Sequence, residues 1–172
     1  MMGSGGLVVL DDSDCMVDIA SYFLTFTQAE ACGKCSFGRI GTKRMLEILE
    51  KITSGKGTEK DLENLEDLAN WTKKGSLCAL CGTAPNPILS TLRYFRDEYE
   101  AHIYEKSCPA LVCKNLIKYY IDPEKCIGCK KCLKECPTEA IKGDLKYVHI
   151  IDQALCNKCG TCLDVCPEKV SA

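Results

Sequence analysis

Apolar residues in the first half of the chain recur at the spacing of amphipathic helices. Positions i, i+3, i+4 and i+7 lie on one face of an α-helix. The first such set is Met16, Ile19, Ala20 and Phe23, and the second is Met45, Ile48, Leu49 and Ile52. Each set predicts one helix with a single apolar face.

Two further helices are predicted before residue 107. Thr58 is followed three residues later by Asp61, the signature of a capping box, and the third helix is expected to continue through Trp71. The fourth begins after Pro85 and runs to about residue 106. Its predicted apolar face is formed by Ile88, Leu92, Phe95 and Tyr99. Four amphipathic segments with short connections are typical of a helical bundle.

The pattern changes near residue 118, where an internal repeat follows. A cysteine run of the form C-x2-C-x2-C-x3-C-P begins at Cys126 and recurs thirty residues later at Cys156. Between the two runs, residues 141–151 predict a β-hairpin with Gly143 and Asp144 at its turn. The texture of short strands and turns differs from that of the helical segments before it.

The abundance of cysteine indicates either a disulfide framework or a metal protein. The chain has 15 cysteines among 172 residues. The N-terminus does not resemble a secretory signal, because its short apolar run ends at Asp11 and Asp12. We therefore expect a cytoplasmic protein, in which clustered thiols bind metals. No apolar stretch approaches the roughly 20 residues of a membrane span, and a net charge of -2 gives no basic footprint for nucleic acid.

The two cysteine runs have the spacing of two-cluster bacterial ferredoxins. In such a run three cysteines converge on one cubane, and the fourth, before the proline, ligates the other cluster. Zinc fingers would instead need C-x2-C pairs with a long spacer, and a disulfide framework would need an oxidising compartment. We predict two [4Fe–4S] clusters with crossed ligands. The first set is Cys126, Cys129, Cys132 and Cys166, and the second is Cys156, Cys159, Cys162 and Cys136.

A wider resemblance covers nearly the whole chain. It rests on residues 3–12, 15–18, 26–28, 32–35, 41–44, 76–78 and 84–87. Together these segments resemble the C-terminal part of the flavin-carrying, NADH-binding subunit of complex I and its relatives. Those relatives include the NAD-linked, often electron-bifurcating [FeFe]-hydrogenases and the NAD-dependent formate dehydrogenases, and the appended ferredoxin resembles the hydrogenase-type members. The Gly-rich flavin and nicotinamide domain of the family is missing from this sequence, so the resemblance implies that the chain neither binds those cofactors nor oxidises NADH alone.

The same resemblance implies a [4Fe–4S] cluster in the bundle, held in the family by a C-x2-C-x2-C run and one distant cysteine. Cys32 and Cys35 match the run, Gly38 stands at its third position, and Cys78 matches the distant ligand. The family usually has glycine at the position of Cys81, which we expect to replace the missing thiol. We predict a third [4Fe–4S] cluster on these four cysteines. Zinc or a smaller iron centre, and a labile three-ligand cluster with Cys81 as a buried apolar residue, are the alternatives.

The remaining cysteines and one histidine suggest a second kind of metal site. His102, Cys108 and Cys113 lie around the end of the predicted fourth helix, and Cys15 is the candidate fourth ligand. A Cys3His zinc ion here would tie the two domains together. The alternatives are a packing role for these residues and a ligand supplied by a partner chain. His149, on the hairpin, is expected to be an ordinary strand residue.

These patterns predict an α+β protein with four segments. They are a lead-in strand segment (1–13), a four-helix iron–sulfur bundle (14–106), a hinge with a candidate metal site (107–118), and a small two-cluster ferredoxin domain with a βαβ repeat (119–172). A short helical stretch is also predicted at residues 111–119, where the hinge meets the ferredoxin domain.

The sequence predicts an electron-transfer module without catalytic residues of its own. It would relay electrons between a flavin/NAD(H) site on a partner or missing domain and a redox partner such as a hydrogenase or a ferredoxin, as a component of a multi-subunit NAD-linked oxidoreductase. The alternative is an assembly or regulatory protein in which iron–sulfur clusters or zinc organise a docking surface and no electrons flow.

Overall fold

The computed structural model describes residues 8–167, which divide into two compact units. The N-terminal unit extends to Leu116 and the C-terminal unit begins at Ile117. The predicted hinge over residues 107–118 therefore lies on both sides of this division. Within residues 8–167, none of the helices combines the length and apolar character needed to cross a membrane.

The regular secondary structure in the described part of the N-terminal unit consists of helices, which are joined by turns and irregular segments. Its α-helices are α1 (Met16–Glu30), α2 (Thr42–Thr53), α3 (Glu59–Gly75), α4 (Ala79–Thr83), α5 (Asn86–Tyr94) and α6 (Arg96–Glu100). Two π-helical segments, Phe37–Gly41 and Ala101–Glu105, precede α2 and follow α6. Six α-helices thus occupy the part of the chain for which four were predicted.

The predicted apolar faces pack together to form the core of this unit. Helix α2 buries Met45, Leu49 and Ile52, as its spacing predicts. In α1 the buried residues are Met16, Val17, Ala20 and Leu24, so the buried face is rotated from the predicted one and Phe23 is exposed. Further core residues come from the other long helices and are Leu62, Leu65, Ala69, Ile88, Leu92 and Tyr99.

The predicted capping box at the start of α3 is confirmed. The Asp61 carboxylate accepts hydrogen bonds from the backbone N–H of Thr58 at 2.9 Å and from its hydroxyl at 2.6 Å. Lys51 donates to the same carboxylate at 2.6 Å. Burial raises the pKa of Asp61, but these hydrogen bonds lower it by more, so its pKa lies below the ordinary value. The side chain therefore stays charged while it satisfies the helix start.

The prediction of one continuous fourth helix is wrong. The chain leaves the helical conformation at Phe95, where φ is -134° and ψ is 40°, and this residue is exposed although it was placed on the apolar face. Across the break, the hydroxyls of Thr91 and Tyr99 hydrogen-bond at 2.8 Å in the core. Apolar periodicity continues through the break, because the residues on both sides pack against the same core.

Two other secondary-structure predictions differ from the structure. Residues 8–13 of the predicted lead-in strand form no strand, and residues 1–7 lie outside the described part. Residues 111–119, predicted to be helical, form turns and irregular structure instead. Cys113 and Leu116 in this stretch are nevertheless buried in the core of the N-terminal unit.

The C-terminal unit contains two short helices and a two-stranded sheet among residues 117–167. Helix α7 (Lys131–Glu135) and helix α8 (Thr161–Asp164) flank strands β1 (Ile141–Lys142) and β2 (Ile150–Ile151). The strands are antiparallel, with Ile141 opposite Ile151. The hairpin prediction is confirmed, but its turn lies at residues 144–147 rather than at Gly143–Asp144, and the order α7-β1-β2-α8 replaces the predicted βαβ repeat.

Candidate metal centres

Each three-cysteine loop of the C-terminal unit is built around residues in the left-handed conformation. Gly128 and Lys130 have φ values of 66° and 60°, and Lys158 and Gly160, thirty residues later, have values of 59° and 81°. These residues turn the backbone back on itself between the cysteines, so the side chains of one loop converge. The sequence repeat is therefore also a repeat of backbone conformation.

Gly128 additionally allows the close approach of the hairpin. A Cβ at this position would lie 2.6 Å from the backbone nitrogen of Lys146, and that nitrogen donates a hydrogen bond to the Gly128 carbonyl at 3.1 Å. A side chain would break this contact. The glycine thus fixes the hairpin against the first cysteine loop.

Two cavities in the C-terminal unit group the eight ferredoxin-type cysteines into two sets of four. The first cavity is lined by Cys126, Cys129, Cys132 and Cys166. The second is lined by Cys136, Cys156, Cys159 and Cys162. These sets are the ones that the crossed-ligand pattern predicts, since each cavity takes three cysteines from one run and the fourth from the other.

The thiols in these cavities titrate differently because their surroundings differ. Burial, together with the neighbouring thiolates, raises the pKa of Cys132 and of Cys162, which are equivalent in the repeat. Hydrogen bonds from the side chain and backbone of Thr161 lower the pKa of Cys159. Four converging thiolates repel one another, so a cationic iron core is the kind of group that such a set would hold.

In the N-terminal unit, Cys81 fills the space beside Gly38. A Cβ at Gly38 would lie 2.8 Å from Cys81 Sγ and 3.0 Å from Cys35 Sγ. Cys35 accepts a hydrogen bond from the Gly38 backbone N–H at 3.3 Å. The structure therefore brings Cys81 to the position from which a side chain at residue 38 would extend.

Cys32, Cys35 and Cys78 all lie near enough to Cys81 to affect its pKa. Burial, together with the neighbouring Cys78, Cys35 and Cys32, raises the pKa of Cys81 to about 11. The pKa of Cys35 is instead lowered by backbone N–H groups of Leu77 and Gly38. The π-helical segment Phe37–Gly41 begins two residues after Cys35, and such segments are frequent at functional sites.

A second set in the N-terminal unit has the dimensions of a single-ion site. The ligand atoms of Cys15, His102, Cys108 and Cys113 all lie within 4.8 Å of one another, and all four residues are buried. Cys15 Sγ lies 3.8 Å from Cys113 Sγ, and His102 Nε2 lies 3.4 Å from each of these sulfurs. A tetrahedral zinc with Zn–S of about 2.3 Å and Zn–N of about 2.0 Å separates two sulfurs by about 3.8 Å and sulfur from nitrogen by about 3.5 Å.

The imidazole of this set is held by its other nitrogen. His102 Nδ1 lies 2.7 Å from the Glu98 carbonyl oxygen, which accepts a hydrogen bond from Nδ1–H and leaves the Nε2 lone pair towards the sulfurs. Hydrogen bonding with Cys113 lowers the pKa of Cys15, burial opposes this effect, and contact with His102 lowers the pKa further. A thiolate buried in an apolar core calls for a compensating cation.

His149 is a residue of the C-terminal unit whose position could not be read from the cysteine spacing. It precedes β2, is almost completely buried, and lines the first cavity, although an ordinary strand residue was expected. Its Nδ1 lies 3.7 Å from Cys126 Sγ. The alternation along the hairpin contained a signal, since His149 shares its parity, and therefore its face, with the buried Ile151.

Comparison with known families matches both units of the chain. The model of the NADH-ubiquinone oxidoreductase-F iron-sulfur binding region matches residues 18–102. The model of the 4Fe-4S dicluster domain matches residues 120–171. The two matched regions contain the two cysteine sets of the C-terminal unit and the set around Gly38.

Individual relatives agree with these matches. The NADP-reducing hydrogenase subunit HndC of Solidesulfovibrio fructosivorans is 54% identical over 149 residues, which is 87% of this chain and 30% of that protein. The F-type subunit of the NADH-quinone oxidoreductase of Streptomyces coelicolor is 40% identical over 109 residues, which is 63% of this chain and 24% of that protein. This chain thus spans less than a third of the length of either relative.

A solved structure supports the same relationship. The NAD+-reducing [NiFe]-hydrogenase in its H2-reduced state matches with a TM-score of 0.53 and 33% identity, over 55% of this chain and 16% of the solved chain. The chain therefore belongs to the iron–sulfur proteins that join the NADH-ubiquinone oxidoreductase-F iron–sulfur binding region to a 4Fe–4S dicluster domain.

Proposed function

We propose that this chain is an iron–sulfur electron-transfer module. The observation that carries the proposal is the division of eight cysteines between two cavities, four in each, with the fourth cysteine of each run in the cavity of the other. The bound clusters would accept and donate single electrons. The protein contributes thiolate ligands, hydrogen bonds to sulfur and walls that limit contact with water.

Each cavity has features that suit a low-exposure cluster. The wall of the first includes the buried Ile121, and that of the second includes the buried Ile141 and Ile151. In the second, Thr161 Oγ1 lies 3.2 Å from Cys159 Sγ, and the Lys158 backbone N–H donates to Cys156 Sγ at 3.4 Å. Hydrogen bonds to the ligand sulfurs and exclusion of solvent are the means by which a protein sets a cluster's potential.

We further propose that the N-terminal unit holds a third [4Fe–4S] cluster on Cys32, Cys35, Cys78 and Cys81. The close approach of Cys81 Sγ to the position of a residue-38 Cβ supports this ligand set, because the thiol that the family places at position 38 has a replacement nearby. Without Cys81 the set would contain three thiols and could not complete a four-cysteine cluster.

A structural zinc ion is proposed on Cys15, His102, Cys108 and Cys113. The support is the agreement of the observed sulfur–sulfur and sulfur–nitrogen separations with tetrahedral zinc, and the hydrogen bond that fixes His102. All four residues belong to the N-terminal unit. The ion would fasten the start of α1 to the segment after α6, within that unit.

The relatives support a proposal about the partners of this chain. The similar proteins are subunits of an NADP-reducing hydrogenase and of NADH-quinone oxidoreductases. We propose that this chain relays electrons between a flavin/NAD(H) site on a partner or another domain and a redox partner such as a hydrogenase or a ferredoxin. Purification of the untagged protein from its source, followed by identification of the copurifying chains, tests this assignment, and recovery without any redox subunit would contradict it.

Metal analysis of anaerobically prepared full chain tests the cluster proposal. About 12 iron and 12 sulfide per chain are expected for three cubanes, and about 8 of each for the ferredoxin-type pair alone. Broad brown iron–sulfide absorption should accompany them. Colourless protein that contains zinc but no acid-labile sulfide would overturn the proposal.

A further inference from the structure

His149 is buried beside the first set of ferredoxin-type cysteines. Its side chain is 1% exposed, and its Nδ1 lies 3.7 Å from Cys126 Sγ, within the range of a hydrogen bond to sulfur. Its other ring nitrogen, Nε2, is buried and has no hydrogen-bond partner among residues 8–167. The contact with Cys126 is therefore the one hydrogen bond that the ring makes within the described chain.

Gly143 leaves the room that the imidazole needs. A Cβ at this position would lie 2.6 Å from Cδ2 and 2.9 Å from Cγ of His149. Glycine is thus required for the ring to lie against the hairpin backbone. Because the ring of His149 is buried and packs against Gly143, close packing holds it in one orientation.

The chemistry of a bound cluster fixes the direction of this hydrogen bond. A thiolate that ligates iron has no proton to donate, so it can only accept. Nδ1 must therefore carry a hydrogen. A donor directed at a ligand sulfur favours the more negative, reduced cluster over the oxidised one, and so raises the reduction potential.

The two cavities differ in the side chains that can donate a hydrogen bond to a cysteine sulfur. In the second set, the hydroxyls of Thr161 and Thr138 lie 3.2 Å and 3.7 Å from Cys159 and Cys136. Lys131, the residue thirty positions before Thr161, has no hydroxyl. Among the described residues, His149 is the side chain that hydrogen-bonds a cysteine of the first set.

We propose that His149 tunes the reduction potential of the first cluster by donating its Nδ1–H to Cys126 Sγ, while threonine hydroxyls serve the second cluster. The proposal rests on the assignment of clusters to the two cavities. A repeat that is symmetric in its cysteines would thereby carry two centres whose potentials respond to different side chains, so that either can be shifted without the other.

Redox titration of the full chain, followed by electron paramagnetic resonance, tests this proposal. Cys129→Ser and Cys159→Ser, each altering a ligand of one cluster, assign the two potentials. His149→Phe keeps a flat ring but removes the donor, and should lower the equilibrium constant for reduction of the first cluster by up to about tenfold, or about 59 mV for a one-electron couple. His149→Asn, which can place an amide N–H near the position of Nδ1, should restore part of the shift.

Two control variants separate loss of the hydrogen bond from a general disturbance of the C-terminal unit. Thr161→Val should lower the potential of the second cluster and leave the first unchanged. Tyr147→Phe, an aromatic change on the same hairpin at a side chain that is 71% exposed, should move neither. An unchanged first potential in His149→Phe, at full iron content, would overturn the proposal.

A measurement on wild-type protein tests the proposal even if the His149→Phe variant loses its cluster. Protein labelled with 15N-histidine should show a nitrogen hyperfine coupling to the reduced first cluster in pulsed electron paramagnetic resonance. No such coupling would overturn the role of His149. The signals of the two ferredoxin-type clusters in the reduced protein separate this outcome from failure of the cluster assignment itself, because protein that lacks the signal of the first cluster lacks that cluster whatever the histidine does.

Discussion

At the scale of single residues, positions 38 and 81 are coupled through the space that they share. Gly38 has no side chain, and Cys81 Sγ lies 2.8 Å from where its Cβ would be. A thiol can therefore extend from one of these positions or from the other. The pattern of cysteines suggested this exchange, but its physical reason, mutual exclusion within one space, depends on how the chain folds.

The exchange predicts a reciprocal set of variants. Cys81→Ala should lower the iron content from about 12 to about 8 per chain, since only the ferredoxin-type clusters remain. Gly38→Cys alone should cost about 1–3 kcal/mol of stability, because the new Cβ collides with Cys81. The double variant Gly38→Cys with Cys81→Gly should regain about 12 iron per chain. Full iron content in Cys81→Ala would show that this cysteine is not a ligand.

The buried set with His102 leads to a separate prediction. Cys113→Ala should reduce bound zinc from about one ion per chain to about none, and should lower the free energy of unfolding by at least about 4 kcal/mol, as loss of a structural metal does. His102→Cys, which replaces one zinc ligand by another, should retain the ion. Metal analysis and denaturant unfolding measure both effects, and wild-type protein prepared with zinc available but containing none would contradict the site.

At the scale of elements, local signals predicted what depends on neighbouring residues. The start of α3 was predictable because Thr58 and Asp61 are three residues apart and bond directly. The break at Phe95 was not, because Ile88, Leu92 and Tyr99 keep helical spacing on both sides of it. Tertiary packing determines where such a helix break occurs, so apolar periodicity along the sequence does not reveal its position.

The cap of α3 supplies a prediction at this scale. Asp61→Ala should lower the free energy of unfolding by about 1 kcal/mol, because it removes the acceptor for Thr58 and the partner of Lys51. Asp67→Ala, in the middle of the same helix and exposed, is the matched control and should be neutral or slightly stabilising, since alanine has the higher helix propensity. Equal losses in the two variants would argue against the capping role.

At the scale of the whole molecule, the repeat made the grouping of the cysteines around the two cavities of the C-terminal unit predictable. A thirty-residue translation relates Cys126 to Cys156, and it also relates the left-handed residues of the two loops. The spacing of the cysteines alone therefore indicated that the two loops have the same backbone geometry. The sets of the N-terminal unit were harder, because Cys15 and Cys113 are 98 residues apart and no spacing rule joins them. The contact of His149 with Cys126 was not predictable, because it depends on how the hairpin folds back.

Crossing of the ligands predicts which cluster each distant cysteine serves. Cys166→Ser should alter the spectrum of the cluster on Cys126, Cys129 and Cys132, and Cys136→Ser should alter that of the other cluster. The measurement is electron paramagnetic resonance of each reduced variant beside Cys129→Ser and Cys159→Ser. If Cys166→Ser resembled Cys159→Ser instead, the ligands would not cross.

Electron transfer by paired clusters is the central claim, and stepwise reduction of the anaerobic full chain with a low-potential donor tests it most directly. The spectrum should develop signals from two reduced cubanes whose spins interact, superimposed on the signal of the cluster in the N-terminal unit, and reoxidation should remove them all. Clusters that remain oxidised at every accessible potential, or protein that shows no paramagnetic iron–sulfur signal, would contradict the account.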